Sequence, residues 1–303
     1  MAIRVKILGS NSAIPTAWRF PTAQLVEVNQ SYYLVDCGEG AQMQLRKYRV
    51  KIQRIKAIFI SHMHGDHYFG LIGLLNTMHL LGRESELKIF GPPALENIIK
   101  SMFKEADTRL RYPLEFFVNG DEEAVIFEDK EVEVTSFPLN HRIKCNGFRF
   151  NEKERPRKID KNAIERYGIP VEQMPGIKKG ADLKQADGTI VDNKRVTLPG
   201  EKSDSYAFCS DTCYDERIVG YIKGADLLYH EATFTNALKD RAAETFHSTA
   251  EEAATIAKKA EVGKLLIGHF SARYLDLGEH LEESRAVFSN SHLAIEGETF
   301  KAV

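Results

Sequence analysis

The sequence has little cysteine and no long apolar segment. Four of its 303 residues are cysteine, too few for a disulfide framework, and Cys209 and Cys213 lack the two-residue gap of a zinc knuckle. No stretch approaches the ~20 apolar residues of a membrane span, and the first ten residues lack the apolar core of a signal peptide. We therefore expect a cytoplasmic protein that does not enter a membrane.

The sequence also lacks a strong net charge. Its formal charge is −2 at pH 7, so any attraction to nucleic acid must come from local patches. Apolar residues make up 43% and charged residues 28% of the chain, as in globular proteins. A chain of this length is long enough to bury one large core.

The densest group of metal-binding residue types is the run Ser61 to His67, SHMHGDH. It lies between a β-branched run that predicts a buried strand and an apolar segment that predicts a helix. Imidazole and carboxylate groups suit zinc or a similar divalent ion, and four of them at this spacing favour more than one ion. The alternative is a polar loop whose histidines bind no metal. An isolated histidine would favour that alternative, but four ligand types at this spacing disfavour it.

This run resembles the signature loop of the metallo-β-lactamase superfamily. The resemblance implies that His62 and His64 bind one metal ion and that Asp66 and His67 bind another. Elsewhere, strand hairpins mixed with strand and helix units are typical of two packed sheets with helices outside. We therefore expect an α/β fold, the four-layer αββα metallo-β-lactamase sandwich, as a single domain over residues 1–303.

Further candidate ligands follow other predicted strands. His141, Asp211 and His269 each lie at or just past a strand end, so they can reach the same rim as the SHMHGDH loop. His141 would join the first group and His269 the second, with Asp211 between the ions because each of its oxygens can bind one cation. Two such ions suit hydrolysis of a phosphodiester. Asp36, at another strand end, is a candidate hydrogen-bond partner for a ligand.

His247 is the candidate proton donor to the leaving group, because it lies at a predicted helix start outside the ligand set. Glu231 could hydrogen-bond its imidazole and raise its pKa. A capping-region histidine without a chemical role is the alternative. Ser248 and Glu251 predict a capping box for the helix that follows. We expect His280, in contrast, at the surface.

The segment 151–195 differs in composition from the rest of the chain. Between residues 152 and 184, nine Lys or Arg outnumber six Asp or Glu, a net charge of +3. Because it has few large apolar residues, we expect an inserted arm that has no core of its own and projects from the body. A basic projection favours a polyanionic partner, and a solvated surface insertion is the alternative.

Four features together resemble the ribonuclease Z family: HEAT at 230–233, HST at 247–249, SARY at 271–274 and the basic insertion after GFRF. The resemblance implies a homodimeric endoribonuclease with two zinc ions per subunit. It would remove the 3′ trailer from precursor tRNA after the discriminator nucleotide, with Asp66 as proton acceptor. The residues expected to contact the tRNA are Ser271, Arg273, Arg155, Arg157, Lys158, Lys178 and Lys179.

The chain departs from this family in two places. PTAWRF at 15–20 replaces a PTKxRN loop that contributes to discrimination at the CCA end, and VEQMPG replaces a Gly-Pro turn in the arm. A metallo-phosphodiesterase or another hydrolase of small substrates is the nearest alternative, and it would need no basic arm. An inactive RNA-binding protein is a third reading, which the complete set of candidate ligands disfavours.

Overall fold

The chain folds into two compact units. The computed structural model describes residues 3–153, 156–200 and 202–302. Residues 1–152 and 204–303 form one unit, called the body here, and residues 153–203 form the other, called the arm. None of the described helices is long and apolar enough to cross a membrane.

Among the described residues, most strands belong to the body and four short ones belong to the arm. In chain order the strands are β1 (Arg4–Gly9), β2 (Ala23–Val28), β3 (Ser31–Cys37), β4 (Ile55–Phe59), β5 (Leu87–Gly91), β6 (Leu114–Val118), β7 (Ala124–Glu128), β8 (Val132–Leu139), β9 (Cys145–Glu152), β10 (Lys158–Ile159), β11 (Leu183–Lys184), β12 (Ile190–Val191), β13 (Thr197–Leu198), β14 (Ser205–Cys209), β15 (Leu227–Glu231), β16 (Leu265–Gly268), β17 (Ser291–Leu293) and β18 (Thr299–Lys301).

The helices are mostly short. In chain order they are α1 (Ala41–Lys47), α2 (Gly65–Tyr68), α3 (Leu71–Leu80), α4 (Ala94–Glu105), α5 (Lys161–Tyr167), α6 (Met174–Lys178), α7 (Asn193–Val196), α8 (Ile218–Ile222), α9 (Lys239–Glu244), α10 (Ala250–Lys259) and α11 (Gly278–Val287).

The body consists of two seven-stranded sheets with helices outside. Their strand orders are β18-β1-β2-β3-β4-β5-β6 and β17-β16-β15-β14-β9-β8-β7. In β14, Tyr206 and Phe208 pack between the sheets, while Ala207 and Cys209 pack on the helix side. Because side chains alternate along a strand, these four residues point to opposite faces of β14, and both faces are buried. The predicted four-layer αββα sandwich is confirmed.

Parallel strands in both sheets bring several loops to one edge of the body. β3, β4 and β5 are parallel neighbours in the first sheet, as are β14, β15 and β16 in the second. The carboxyl ends of parallel strands meet at the same edge of a sheet. The loop after β4 carries SHMHGDH, and Asp211, Glu231 and His269 lie at or after the ends of β14, β15 and β16.

The arm has a small apolar core, so the prediction that it lacks one was wrong. Its buried apolar side chains are Ala163, Ile169, Ile177, Leu183, Val191 and Val196. Asn193 supports them, since its Nδ2 donates to the carbonyls of Ile177 and Ala181 at 2.7 Å. These apolar residues are spread too widely along the segment to form a periodic run. The compact unit spans residues 153–203, and the assignment of 151–195 as an inserted tRNA-binding arm stays a prediction.

Two local predictions in the body were also wrong. The capping box of α10 is formed by Thr249 and Glu252, one residue later than expected, and Ser248 Oγ instead donates to the carbonyl of Thr212 at 2.6 Å. His280 is buried rather than exposed, with its ring edge-on to Tyr274 at 4.5 Å between centroids. Neither of these two differences changes the fold.

We predict that Thr249→Ala lowers the free energy of unfolding by about 1 kcal/mol, because Thr249 Oγ1 accepts the backbone N–H of Glu252. Thr249→Ser keeps this acceptor and should stay within a few tenths of a kcal/mol of wild type. Urea unfolding measures both variants. Equal stability of the alanine variant and wild type would show that the cap contributes nothing.

Candidate active site

Seven side chains form two overlapping groups at the edge where the strand ends meet. In each group the candidate ligand atoms lie within 4.8 Å of one another. One group is His62, His64, His141 and Asp211, and the other is Asp66, His67, Asp211 and His269. The structure thus brings together all seven predicted ligands, and their binding of metal stays a prediction.

Asp211 lies between the two groups. Its Oδ2 is 3.6 Å from His62 Nε2 and 3.8 Å from His141 Nε2. Its Oδ1 is 3.1 Å from both His67 Nε2 and His269 Nε2. Each oxygen of one carboxylate therefore faces a different group, as a ligand shared by two cations requires.

The spacing of the other ligand atoms fits small divalent ions. His64 Nδ1 is 2.9 Å from His62 Nε2 and 3.1 Å from His141 Nε2. Asp66 Oδ2 is 3.3 Å from His67 Nε2 and 3.5 Å from His269 Nε2. Tetrahedral zinc with bonds of about 2.0–2.1 Å places its ligand atoms roughly 3.4 Å apart.

Asp36 and Ser61 orient two of the histidines. Asp36 Oδ2 lies 2.7 Å from His67 Nδ1 and 2.9 Å from Ser61 Oγ. The ionised carboxylate only accepts, so Ser61 donates its proton to Asp36 and is left to accept one from His62 Nδ1, 3.0 Å away. Both imidazoles then have their Nδ1 proton held by an oxygen and turn Nε2 toward the site.

His269 and His141 are oriented in the same way. Thr233 Oγ1 donates to Glu231 Oε2 at 2.6 Å, so it accepts from His269 Nδ1 at 2.9 Å. His141 Nδ1 donates to the carbonyl of Phe246 at 3.1 Å. Four histidines therefore present Nε2 to the site with their Nδ1 proton held by an oxygen, the arrangement that metal-binding histidines usually have.

Two observations indicate that a divalent cation fits these residues. Among the described residues, His67 Nε2 and His269 Nε2 are buried without a hydrogen-bond partner. Burial lowers the pKa of His62, His64 and His141, so these imidazoles stay neutral near pH 7, the form that binds a metal. The donor set of imidazoles and carboxylates suits zinc.

His247 lies beside the two groups with Glu231 behind it. Its Nδ1 donates to Glu231 Oε1 at 2.8 Å. Burial alone would lower the pKa of His247, but the Glu231 carboxylate outweighs burial and raises this pKa to about 9. Glu231 is buried, and the backbone N–H groups of Thr212 and Thr233 donate to its two oxygens. At neutral pH His247 therefore carries a proton on Nε2.

An open pocket of about 450 Å³ lies over these residues. Asp66, His247, Ser271 and Arg273, all predicted site residues, line it together with ligands of both groups. Two further arginines, Arg142 and Arg241, also line it and were missed in the sequence. Nothing in their local sequence distinguishes them from other surface arginines. Three guanidinium groups at one pocket suit a phosphate-containing substrate.

The predicted RNA-binding residues of the arm differ in their surroundings. Lys158, Lys178 and Lys179 are exposed. Arg157 is half-buried, and its Nε donates to Thr197 Oγ1 at 2.6 Å within the arm. Arg155 lies outside the described residues. Contact of these residues with RNA stays a prediction.

Comparison with known proteins finds close relatives over nearly the whole chain. The ribonuclease Z of Bacteroides thetaiotaomicron is 47% identical over 291 residues, which is 96% of this chain and 92% of that protein. A crystal structure of human tRNase Z, short form, matches with a TM-score of 0.72 and 27% identity over 99% of both chains. The metallo-β-lactamase fold protein YhfI from Bacillus subtilis shares the fold, with a TM-score of 0.70 and 20% identity over 99% of this chain and 100% of that chain.

A family model described as anti-Pycsar protein Apyc1 matches residues 3–153. This range includes the SHMHGDH loop and His141, and it ends before Asp211, His247 and His269. The match therefore covers only part of the two ligand groups.

We predict that Asp36→Asn weakens zinc binding about 10- to 100-fold. The two carboxylate oxygens of Asp36 accept hydrogen bonds from His67 and Ser61, whereas an asparagine side chain has one acceptor oxygen and can orient only one of them. Titration against a chromogenic chelator measures the affinity. Asp129→Asn is the matched control, since this carboxylate accepts from Tyr33 away from the site. Unchanged zinc affinity in Asp36→Asn would contradict the orienting role of Asp36.

Proposed function

This chain belongs to the ribonuclease Z family, and on that basis we propose that it removes the 3′ trailer from precursor tRNA. The cut follows the discriminator nucleotide and leaves a 3′-hydroxyl on the tRNA and a 5′-phosphate on the trailer. The observation that carries the proposal is the placement of Asp211, each of whose oxygens faces a different histidine group. Such a site suits a phosphodiester, whose attacking and leaving oxygens both need stabilisation.

Divalent ions bound here would supply Lewis acidity to the scissile phosphate and to the water that attacks it. We propose two zinc ions. His62, His64 and His141 would hold one, Asp66, His67 and His269 the other, and Asp211 both. The donor set and the unpartnered Nε2 atoms of His67 and His269 support this assignment.

Side chains of the protein carry out the two proton transfers. Water adds to phosphorus, and the bond between phosphorus and the O3′ of the discriminator nucleotide breaks. Asp66 accepts the proton of the water, and His247 Nε2 gives its proton to the departing O3′. Glu231 supports this donor, since its carboxylate keeps His247 protonated at neutral pH.

The arginines and the arm would bind the tRNA. Arg273, Arg142 and Arg241 line the pocket and suit the phosphates next to the cut. We propose that the arm holds the tRNA body through Lys158, Lys178 and Lys179, as its basic composition supports. Arg157 and Arg155 belong to the same proposal, although Arg157 also supports the arm internally.

We also propose that two chains form a homodimer and act in the cytoplasm, as the family resemblance implies. Large apolar side chains are exposed on and near α1 and α3, among them Met43, Phe69 and Leu80. Surfaces of this kind favour association between copies. Light scattering that gave the mass of a single chain would contradict the dimer.

Incubation of the purified protein with a 3′-extended precursor tRNA tests the function. The cut should map to the bond after the discriminator nucleotide, and a chelator should abolish it. Hydrolysis of small phosphodiesters without any cleavage of the precursor would assign the chain to the alternative, a hydrolase of small substrates.

We predict that His247→Ala lowers kcat on precursor tRNA about 10²- to 10⁴-fold, the usual contribution of a general acid. Hydrolysis of bis(p-nitrophenyl) phosphate should fall far less, because its leaving group departs without a proton. His292→Ala, which removes an imidazole away from the pocket, is the control. An equal loss on both substrates would assign His247 to holding the site together instead of donating a proton.

We predict that replacing residues 153–203 by a short Gly/Ser linker lowers kcat/KM for precursor tRNA at least tenfold and leaves bis(p-nitrophenyl) phosphate hydrolysis intact. The linker should close without strain, since Glu152 N donates to Asp204 O at 2.9 Å. The double variant of Lys178 and Lys179 to Ala should reduce the salt dependence of tRNA binding, while Lys100→Ala on the body should not. Full tRNA processing by the armless protein would contradict the role of the arm.

A further inference from the structure

The single tryptophan of the chain is exposed to solvent on a segment that also lines the pocket. Trp18 is 79% exposed, an unusual position for the largest aromatic side chain. Ile14 and Leu275, 67% and 84% exposed, lie on the same two neighbouring segments, Asn11–Phe20 and Phe270–Leu275. Ser12 N donates to the carbonyl of Phe270 at 3.0 Å, which joins these segments.

The segment that carries Trp18 is a closed turn. Thr16 N donates to the carbonyl of Arg19 at 2.9 Å, and Thr16 Oγ1 accepts the backbone N–H of Arg19 at 2.9 Å. The guanidinium of Arg19 donates to Asn11 Oδ1 at 2.8 Å and to the carbonyl of Tyr274 at 2.6 Å. Arg19 therefore fixes the turn, with Trp18 at its tip, to the segment that holds Arg273.

Glu296 fastens the base of the same segment. Its Oε1 accepts the backbone N–H of Phe20 at 2.6 Å and of Ser10 at 3.3 Å. Its Oε2 accepts from Gln44 Nε2 at 3.0 Å. With both ends of the segment held, the backbone that carries Trp18 is ordered before binding, which lowers the entropic cost of binding a partner.

The turn borders the place where the RNA chain would be cut. Ser12 and Ala13 line the pocket, as does Arg273. Trp18 is five positions after Ala13 in the chain, and five residue steps span at most about 17 Å when extended. The indole therefore lies within a few nucleotides of a phosphate bound in the pocket.

We propose that Trp18 stacks on a nucleobase of the single-stranded 3′ region of the RNA, beside the bond that is cut. This inference rests on the proposed function. An exposed indole on a segment joined to the one that carries Arg273 fits a single-stranded polyanion, because every base offers an aromatic face and stacking on aromatic side chains contributes strongly to such binding. A second copy of the chain on this surface would be the competing occupant.

Trp18 is the only tryptophan of the chain, so fluorescence excited at wavelengths that tyrosine does not absorb reports on Trp18 alone and tests the contact directly. Stopped-flow mixing with a 3′-extended precursor tRNA should quench the emission before turnover. The same precursor with abasic residues around the cut keeps every phosphate but removes the bases, and it should lose the quench. Quenching that persists with the abasic precursor would overturn the proposal.

Kinetics supply the second test. We predict that Trp18→Ala raises KM for precursor tRNA about tenfold with kcat changed less than twofold, and that Trp18→Phe retains most of the affinity. Leu275→Ala, which removes another exposed apolar side chain from this rim, is the matched control. The effect of Trp18→Ala should vanish on the abasic precursor.

An unchanged KM in Trp18→Ala would overturn the stacking proposal while leaving the nuclease intact. A change in oligomeric mass in that variant would assign Trp18 to an interface between copies and would also overturn it. If the wild-type protein cleaves no precursor, the proposed function fails, and the base-dependent quench then decides by itself whether Trp18 binds RNA.

Discussion

A carboxylate buried among histidines needs compensating charge, and the site depends on how Asp211 obtains it. Asp211 is 2% exposed, and burying an ionised carboxylate without partners is costly. Asp36 and Glu231 are equally buried, but hydrogen bonds satisfy them: Asp36 binds Ser61 and His67, and Glu231 binds His247 and the backbone. Asp211 Oδ1 accepts a hydrogen bond from Ser210 Oγ at 2.9 Å, and the two oxygens otherwise face the Nε2 atoms of four imidazoles. Cations between these atoms would satisfy both the carboxylate and the imidazoles, which is why the site fits metal ions.

The backbone is shaped to hold this arrangement. Asp36, Asp211 and His269 all have φ near +60°, a left-handed conformation that side-chain-bearing residues adopt at a cost of about 1–3 kcal/mol each. Each lies at or just beyond the end of a buried strand, so the chain turns sharply where the site begins. The two packed sheets fix these strand ends, and the fold thereby stabilises a conformation that an isolated loop would avoid. Contacts from distant parts of the chain also fix the edge of the pocket, where Arg19 and Glu296 hold the turn that carries Trp18.

The sequence predicted what depends on short-range pattern, and it missed what depends on distant packing. The apolar runs predicted most of the strands and the layered αββα fold. The SHMHGDH loop, together with residues at three later strand ends, predicted all seven side chains that converge. Strand β9 was not predicted because Cys145–Glu152 mixes polar and apolar residues that only the neighbouring strands explain. The arm core was missed because its apolar residues come from separate short elements. His280 was placed at the surface because nothing local reveals the rings that cover it, and Arg142 and Arg241 reach the pocket only through the fold.

The proposed chemistry requires cations bound on both sides of one shared carboxylate. Anomalous diffraction at the zinc edge, from crystals of the zinc-loaded protein, tests this most directly. Two peaks are expected, one beside His62, His64 and His141, the other beside Asp66, His67 and His269, with Asp211 in contact with both. A single peak, or peaks away from these residues, would contradict a pair of cations shared by Asp211.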